Sequence, residues 1–314
     1  MSIWVGISAC VLGDKVRFDG GHKLSRFVAD ELGRHFRFHP LCPEMAIGLG
    51  SPRPAIRLVG DPDHPRVQDS KGAGLDVTDQ LDAFSDKVLP GLQHLAGYIL
   101  CGKSPTCGME RVKLYSHEGE GLGKVGVGVF ARRLMAAYPE LPVEEDGRLH
   151  DPLLRENFVM RVMTYHQWLQ LLAEGLSVQG LMDFHRRNKF LLLAHHQRLY
   201  RELGPLIAKA CQNDLAQVAG DYIRRFMAAL ARPAKRRDQA NVLMHLQGFF
   251  KKVLEPQEKA ELAALIDDYR QGLVPLMAPL TLLNHHLRRH PLPYLAEQRY
   301  LQPYPSDLKL RYGL

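Results

Sequence analysis

The chain has 314 residues, 46% of them hydrophobic, with 41 Lys+Arg against 34 Asp+Glu; at roughly 150 residues per domain this length suggests two domains. Five cysteines, an odd number scattered with no dense spacing, exclude a disulfide-stapled secreted scaffold. No window reaches the roughly 18 to 20 apolar residues of a membrane helix, and no basic segment precedes an apolar run at the start; the expectation is a soluble, cytoplasmic protein with no membrane partner.

In chain order, the first half alternates short β-rich apolar runs with helical stretches, the pattern of a mainly parallel sheet flanked by helices. SIWVGISA (2–9) predicts the first strand, HKLSRFVADELGRH (22–35) a helix and FRFHPLCP (36–43) a second strand. GSPRPAIRLVGDPDHPRVQDSKGAGLDV (50–77), rich in Pro, Gly and Asp, reads as loops with a hairpin. VTDQLDAFSDKVLPGLQHLA (77–96) predicts a helix capped by Thr78 or Asp79, GYILC (97–101) a third strand, and VGVGVFARRLMAAYP (125–139) a glycine-rich strand or turn entering a helix. The glycines there lack a full dinucleotide or phosphate-loop pattern. The charged, turn-prone YPELPVEEDGRLHDP (138–152) sets the expected boundary between domains 1–150 and 151–314.

From Leu154 the apolar period becomes helical. One helix is expected over 155–175, stopping at Gly175, and a long one over 177–205, from a Ser177 cap to a Gly204-Pro205 stop. Further helices are expected over 214–231, 239–254, 256–272 with Pro256 in its first turn, and 276–290. The prolines and tyrosines of 291–314 would strap over this all-α domain. Residues 1–150 carry 18 Lys+Arg and 19 Asp+Glu, and the remainder 23 and 15, so the basic excess belongs to the helices. Solvated helix faces account for such an excess; a phosphate-bearing or nucleic-acid partner for the basic C-terminal domain is the alternative.

Predicted strands end in cysteine-bearing loops: Cys10 in GISACVLG, Cys42 in FHPLCPE, Cys101 and Cys107 in YILCGKSPTCG. Ligands of open α/β sheets bind outside the carboxyl ends of strands, so these loops are expected to converge. Soft thiolates suit zinc or an iron-sulfur cluster, and the lack of a local Cys-x-x-Cys pair weighs against zinc. A thiolate nucleophile, or buried structural thiols, stays open from the residues alone. Cys211 stands alone in a helix and reads as packed core.

SACVLGDKVRFDGGHK, PLCPEMAIGLGSPRP and SPTCGMERVKLY, in that order, resemble the thiouracil desulfurase family over residues 3 to about 150, and FHRRNKFLLLAHHQRLYRELG with YLAEQRYLQPYP resembles the YbgA-type helical domain of unknown function. The first resemblance implies a 4Fe-4S cluster held by Cys10, Cys42 and Cys107. One iron would be left open to the sulfur of a thiolated pyrimidine base or nucleotide, whose C–S bond is then hydrolysed. Glu44, two residues from Cys42, is the expected general acid/base, and Ser104 the group that orients the ring. Cys101 stands where many relatives are expected to carry lysine. It either points away as a strand-end residue or is a candidate fourth ligand that would close the cluster.

Arg17 and Asp19 read as an ion pair shaping the loop after Cys10, with substrate contact the weaker alternative, and Arg53 as a candidate phosphate contact. His185, Lys189 and His196 form a polar stripe at helical spacing, and NHHLRRH (284–290) a basic helix end. The rival to the enzyme is a nucleic-acid-associated binding module whose iron-sulfur or metal site is structural.

Overall fold

The computed structural model describes residues 2–71, 74–212 and 214–311. The chain divides into two units, Met1–Asp151 and Pro152–Leu314. The first contains β1 (Ile3–Ser8), β2 (Phe36–Leu41), α1 (Pro43–Ala46), β3 (Ile56–Val59), β4 (Arg66–Asp69), α2 (Thr78–Val88), β5 (Gly97–Leu100), β6 (Val112–Tyr115), β7 (Gly121–Gly126), α3 (Val129–Ala137) and β8 (Val143–Glu145).

Four strands form a wholly parallel sheet in the order β2-β1-β5-β8. The apolar run of β5 is buried at all four positions, as befits a parallel strand covered on both faces. A second, mixed sheet, β4-β3-β6-β7, joins two antiparallel hairpins through a parallel β3–β6 pair. Its core packs Leu58, Val67, Val112 and Leu114 against Leu81 of α2 and Val129 of α3. The hairpin expected in residues 50–77 is therefore β3–β4. The sheet it joins was not anticipated, because β7 (GLGKVG) is glycine-rich and mostly exposed.

Three local expectations need correction. The helix expected over 22–35 is reduced to a π-helical turn, Phe27–Glu31, and a 3-10 turn, Leu32–Arg34. Its first residues are extended because the Lys23 and Ser25 N–H groups donate to Cys10 O (2.8 Å) and Val11 O (2.9 Å). Helix α2 stops at Val88, since the turn that follows contains Pro90. It also starts one residue earlier than expected, with Val77 as its cap residue, and the Thr78 N–H donates to Asp76 Oδ1 (3.0 Å). Lastly, the acidic segment taken as turn-prone contains β8, with Glu144, Glu145 and Asp146 all buried.

The second unit is all-helical: α4 (Pro152–Glu174), α5 (Val178–His195), α6 (Gln197–Ala208), α7 (Leu215–Leu230), α8 (Arg236–Phe249), α9 (Pro256–Gln271), α10 (Met277–Arg289) and the short α11 (Pro293–Ala296). Ser177 caps α5 by accepting from the Gly180 N–H (3.1 Å). Pro256 opens α9 behind a reciprocal Glu255–Glu258 capping box, and Gly272 closes it in the left-handed conformation. The long helix expected over 177–205 is instead two, broken at His196, whose ring Nδ1 accepts from the Leu199 N–H (3.2 Å) and caps α6. His196 is thus off the α5 stripe. Pro205 lies inside α6, which runs on to Ala208.

Trp168, Phe184, Tyr222 and Phe226 form the aromatic centre of this unit. The tail buries Tyr300 and Tyr304, and Glu156 of α4 accepts from both Tyr304 Oη and Arg311 Nε at 2.8 Å. Residues 312–314 of the expected strap lie outside the described residues. Cys211 is exposed, in a 3-10 turn over Ala210–Gln212, and so is not core. Many helical cations are ion-paired, among them Arg186 with Asp183 and Glu297, Arg225 with Glu202, and Arg289 with Glu258. Among the described residues no helix is long and apolar enough to cross a membrane.

Gly128, at the start of α3, touches the cysteine loop: a Cβ there would meet the backbone carbon and oxygen of Thr106 at 2.6 Å. Backbone atoms cannot swing aside, so Gly128→Ala is expected to cost about 2 kcal/mol. Gly121→Ala, with open space around it, should change stability by no more than about 0.5 kcal/mol. Urea unfolding midpoints of the two variants compare them directly.

Candidate functional site

Parallel pairing puts the carboxyl ends of β2, β1, β5 and β8 along one edge of the sheet. Cys10 follows β1 in a 3-10 turn over Ala9–Leu12 that Gly13 closes at φ 107°; an L side chain is strained there, so glycine fits. Cys42 follows β2 as the cap residue of α1, and Cys101 follows β5 directly. Cys107 comes from the adjoining loop, folded by Ser104, whose Oγ accepts from the Thr106 N–H (3.2 Å) and the Cys107 N–H (3.0 Å).

All four cysteines line one cavity of about 420 Å³, together with Ser8, Arg17, Lys23, Glu44, Arg53 and Ser104. Of the residues anticipated from the sequence, Asp19 alone stays off the wall. It pairs with Arg17 (Nε–Oδ1 3.3 Å) and accepts from the Gly21 N–H (3.0 Å), and those two bonds hold its carboxyl below the ordinary range. Arg17 therefore reaches the cavity as half of the expected ion pair. Arg53 is almost fully buried: its Nη2 and Nε contact Glu44 Oε2 at 2.5 and 3.0 Å, and its Nη1 donates to Gly50 O at 2.6 Å. The pairing fixes the orientation of the Glu44 carboxylate.

Cys101 does not point away. It lines the cavity, its N–H donates to Ser8 Oγ (3.0 Å), and its thiol is hydrogen-bonded to Cys10. The bond from Cys10, helped by the Lys23 charge, lowers the Cys101 pKa against the effect of burial; the same bond, with burial, pushes Cys10 far up. Burial raises Cys42, and burial followed by the Glu44 charge raises Cys107.

Four residues escaped the sequence reading: Ser8, Lys23, Tyr98 and Asp146. Asp146, at the end of β8, accepts from the Gly102 N–H (2.8 Å) and binds Lys23 Nζ (2.9 Å), so it ties the Cys101 loop to the Cys10 loop. Tyr98 is fully buried, its hydroxyl has no hydrogen-bond partner among the described residues, and the charges of Cys107 and Cys42 add to burial in raising its pKa. Lys23 follows the glycines of GGHK, and Asp146 ends EED. Neither short polar run signals a cavity without the fold.

These residues fit a thiolate-bound iron-sulfur group. The donors are soft and buried, and three thiols are disfavoured as isolated anions, which bound metal reverses by displacing their protons. Among the described residues no three His, Cys, Asp or Glu side chains meet at the spacing of one metal ion; a cubane, which spans more space, asks for wider sulfurs.

Two family models match the chain. Residues 5–146 match the family described as 2-thiouracil desulfurase, and residues 189–305 match a protein family of unknown function, DUF1722. The uncharacterized protein YbgA of Escherichia coli (strain K12) is 39% identical over 159 residues, 50% of this chain and 94% of YbgA. The chain is a YbgA homologue that carries a 2-thiouracil desulfurase domain ahead of a DUF1722 domain. A solved structure titled as the 4Fe-4S-dependent thiouracil desulfidase TudS shares 29% identity, covering 48% of this chain and 94% of its own at a TM-score of 0.37.

In this YbgA homologue the Arg53–Glu44 pair is nearly dry, with side chains 3% and 12% exposed. Removing one partner of a buried pair strands the other charge. Arg53→Ala should therefore lose about 3 kcal/mol in urea unfolding, and adding Glu44→Gln should recover part of that loss. An unchanged midpoint in the single variant would mean the pair does not form.

Proposed function

We propose that the first domain, residues 1–150, hydrolyses the C–S bond of a thiolated pyrimidine, base or nucleotide, using a 4Fe-4S cluster held by Cys10, Cys42 and Cys107. The observation that carries this reading is the convergence of cysteine sulfurs from three parallel strand ends on one cavity that also contains Glu44. Family membership supports the substrate class. When bound, the cluster supplies a Lewis-acidic, sulfur-preferring iron that polarises the C=S bond.

The remaining steps fall to the chain itself. Glu44, oriented by Arg53, takes a proton from the attacking water and returns it to the departing sulfur; water and thiocarbonyl become carbonyl and sulfide. The Ser104 hydroxyl accepts two backbone N–H groups, which leaves its own proton to donate to the ring and orient it. Val16, Phe18, Leu41 and Ile56 supply apolar wall for a flat heterocycle and limit water near the reacting carbon. Cys101, bonded to Cys10, stands beside the ligand set.

Anaerobic reconstitution followed by iron and acid-labile sulfide analysis tests the assignment. Wild type and Cys101→Ser should carry a full cluster; Cys10→Ser, Cys42→Ser and Cys107→Ser should not. Loss of the cluster in Cys101→Ser would make all four cysteines ligands and remove the open iron. Glu44→Gln should keep its iron yet release sulfide from 2-thiouracil at least about 100-fold more slowly; undiminished turnover would take Glu44 out of the reaction.

Nucleic-acid binding by the basic helical half finds no support. The family matched there carries no assigned function, and several of its cations, among them Arg186, Arg198, Arg225, Arg270 and Arg289, are engaged in local ion pairs.

A further inference from the structure

We propose that the helical unit contains a second small-molecule site, suited to a nucleoside monophosphate, in the cavity bounded by α4, α5, the start of α8 and the tail. This goes beyond the cysteine chemistry and does not depend on it. The cavity has a volume of about 540 Å³, within the range of pockets that bury small ligands.

Its charge is segregated. Arg311 is neutralised by Glu156 (Nε–Oε1 2.8 Å), which also accepts from Tyr304, so the one carboxylate on the wall is already engaged. At the exposed mouth stand Lys235 and Arg236, and among the described residues no carboxylate pairs with either. Arg236 is held in place: its Nη1 donates to Tyr269 O (3.1 Å) and its guanidinium lies 5.3 Å from the Tyr269 ring centroid. Lys235 is also the cap residue of α8, with no side-chain cap bond, and Asp238 in the first turn offsets the positive end of that helix. Two cations at a mouth, one of them held in place, suit a phosphomonoester that stays near solvent.

Apart from the Arg311–Glu156 pair, the inner wall is uncharged. Tyr300 Oη donates to Gln239 Oε1 (2.5 Å), and Met160 and Leu191 supply apolar surface. His195 contacts Leu191 O through Nδ1 (2.8 Å) and Asn157 Oδ1 through Nε2 (3.2 Å). Burial, with the charges of Arg311 and Arg161, lowers its pKa to about 4, so the ring is neutral and carries one proton. Both nitrogens nevertheless face oxygen acceptors. Flipping the Asn157 amide only moves the conflict, because its Nδ2 already donates to Leu230 O (3.0 Å). A ligand N–H placed at this point serves the unmatched acceptors, as the edge of a pyrimidine ring can. Heterocycle inside and phosphate at the mouth satisfy both halves of the cavity at once.

Isothermal titration of the full chain with uridine 5′-monophosphate, uridine and inorganic phosphate tests the site. Saturable binding of the monophosphate is expected in wild type and equally in Cys107→Ser, which separates this site from the cysteine cavity. Binding should weaken at least tenfold in the Lys235→Ala/Arg236→Ala double variant and, in wild type, for uridine and for phosphate alone. Circular dichroism and an unchanged thermal midpoint would show that the double variant is folded. Four results would overturn the proposal: no saturable binding of the monophosphate, binding that the double variant retains in full, uridine binding as tightly, or binding lost in Cys107→Ser.

Discussion

Parallel pairing of β1 with β2 on one side and β5 on the other is the constraint on which the first domain depends. Antiparallel neighbours would send alternate strand ends to opposite edges of a sheet. Parallel ones bring Ser8, Cys42, Cys101 and, through β8, Asp146 to the same edge, although up to 138 residues of chain separate them. The backbone supplies the convergence, and the side chains need only end their strands with the right chemistry. Local turns refine it: Lys23 N–H closes on Cys10 O, and Asp146 bonds the amide beside Cys101.

The edge so formed is electrostatically unfinished. Four sulfurs, Glu44 and Asp146 share a small volume with Arg17, Lys23 and Arg53. Arg53 is matched to Glu44 and Lys23 to Asp146, so little positive charge is left for the thiols. Ionising Cys10, Cys42 and Cys107 in isolation is opposed by burial, and for Cys10 and Cys107 also by neighbouring thiol charges. A cationic iron-sulfur core removes that opposition, since metal coordination is what makes several adjacent thiolates tolerable in a low-dielectric site. That is the physical support for the proposed cluster over four packed thiols.

The strand ends were legible because an apolar run that stops at a cysteine carries its own punctuation, as GYILC and FHPLC do. β8 was not. Val143-Glu144-Glu145 has the composition of a loop, and it enters the sheet because Arg148, the Met109 N–H, the Gly102 N–H and Lys23, none adjacent to it in the pairing, satisfy the acids of this segment. The orientation of Cys101 is likewise tertiary, set by Ser8 Oγ and the Cys10 thiol. The 22–35 helix failed for a related reason: helical spacing was present, but Lys23 and Ser25 are pinned against the Cys10 turn through N–H bonds to Cys10 O and Val11 O. In the second domain, periodicity located the helices well and missed the break at His196, where a side-chain cap replaces a turn of helix.

The two cavities solve opposite problems of burial. At the cysteine edge, potential anions are gathered and cations are engaged elsewhere, so the missing partner is positive and soft. In the helical unit the acid is engaged, two cations stand free at the mouth, and the interior holds a neutral histidine between two acceptors, so the missing partner is negative at one end and a hydrogen-bond donor at the other. Neither pattern is what stability alone would select, because unmatched charge and unmatched acceptors both cost free energy. Taken together, the two proposals would give the fusion a physical logic: capture of a phosphorylated ring by charge in one domain and cleavage of its C–S bond in the other.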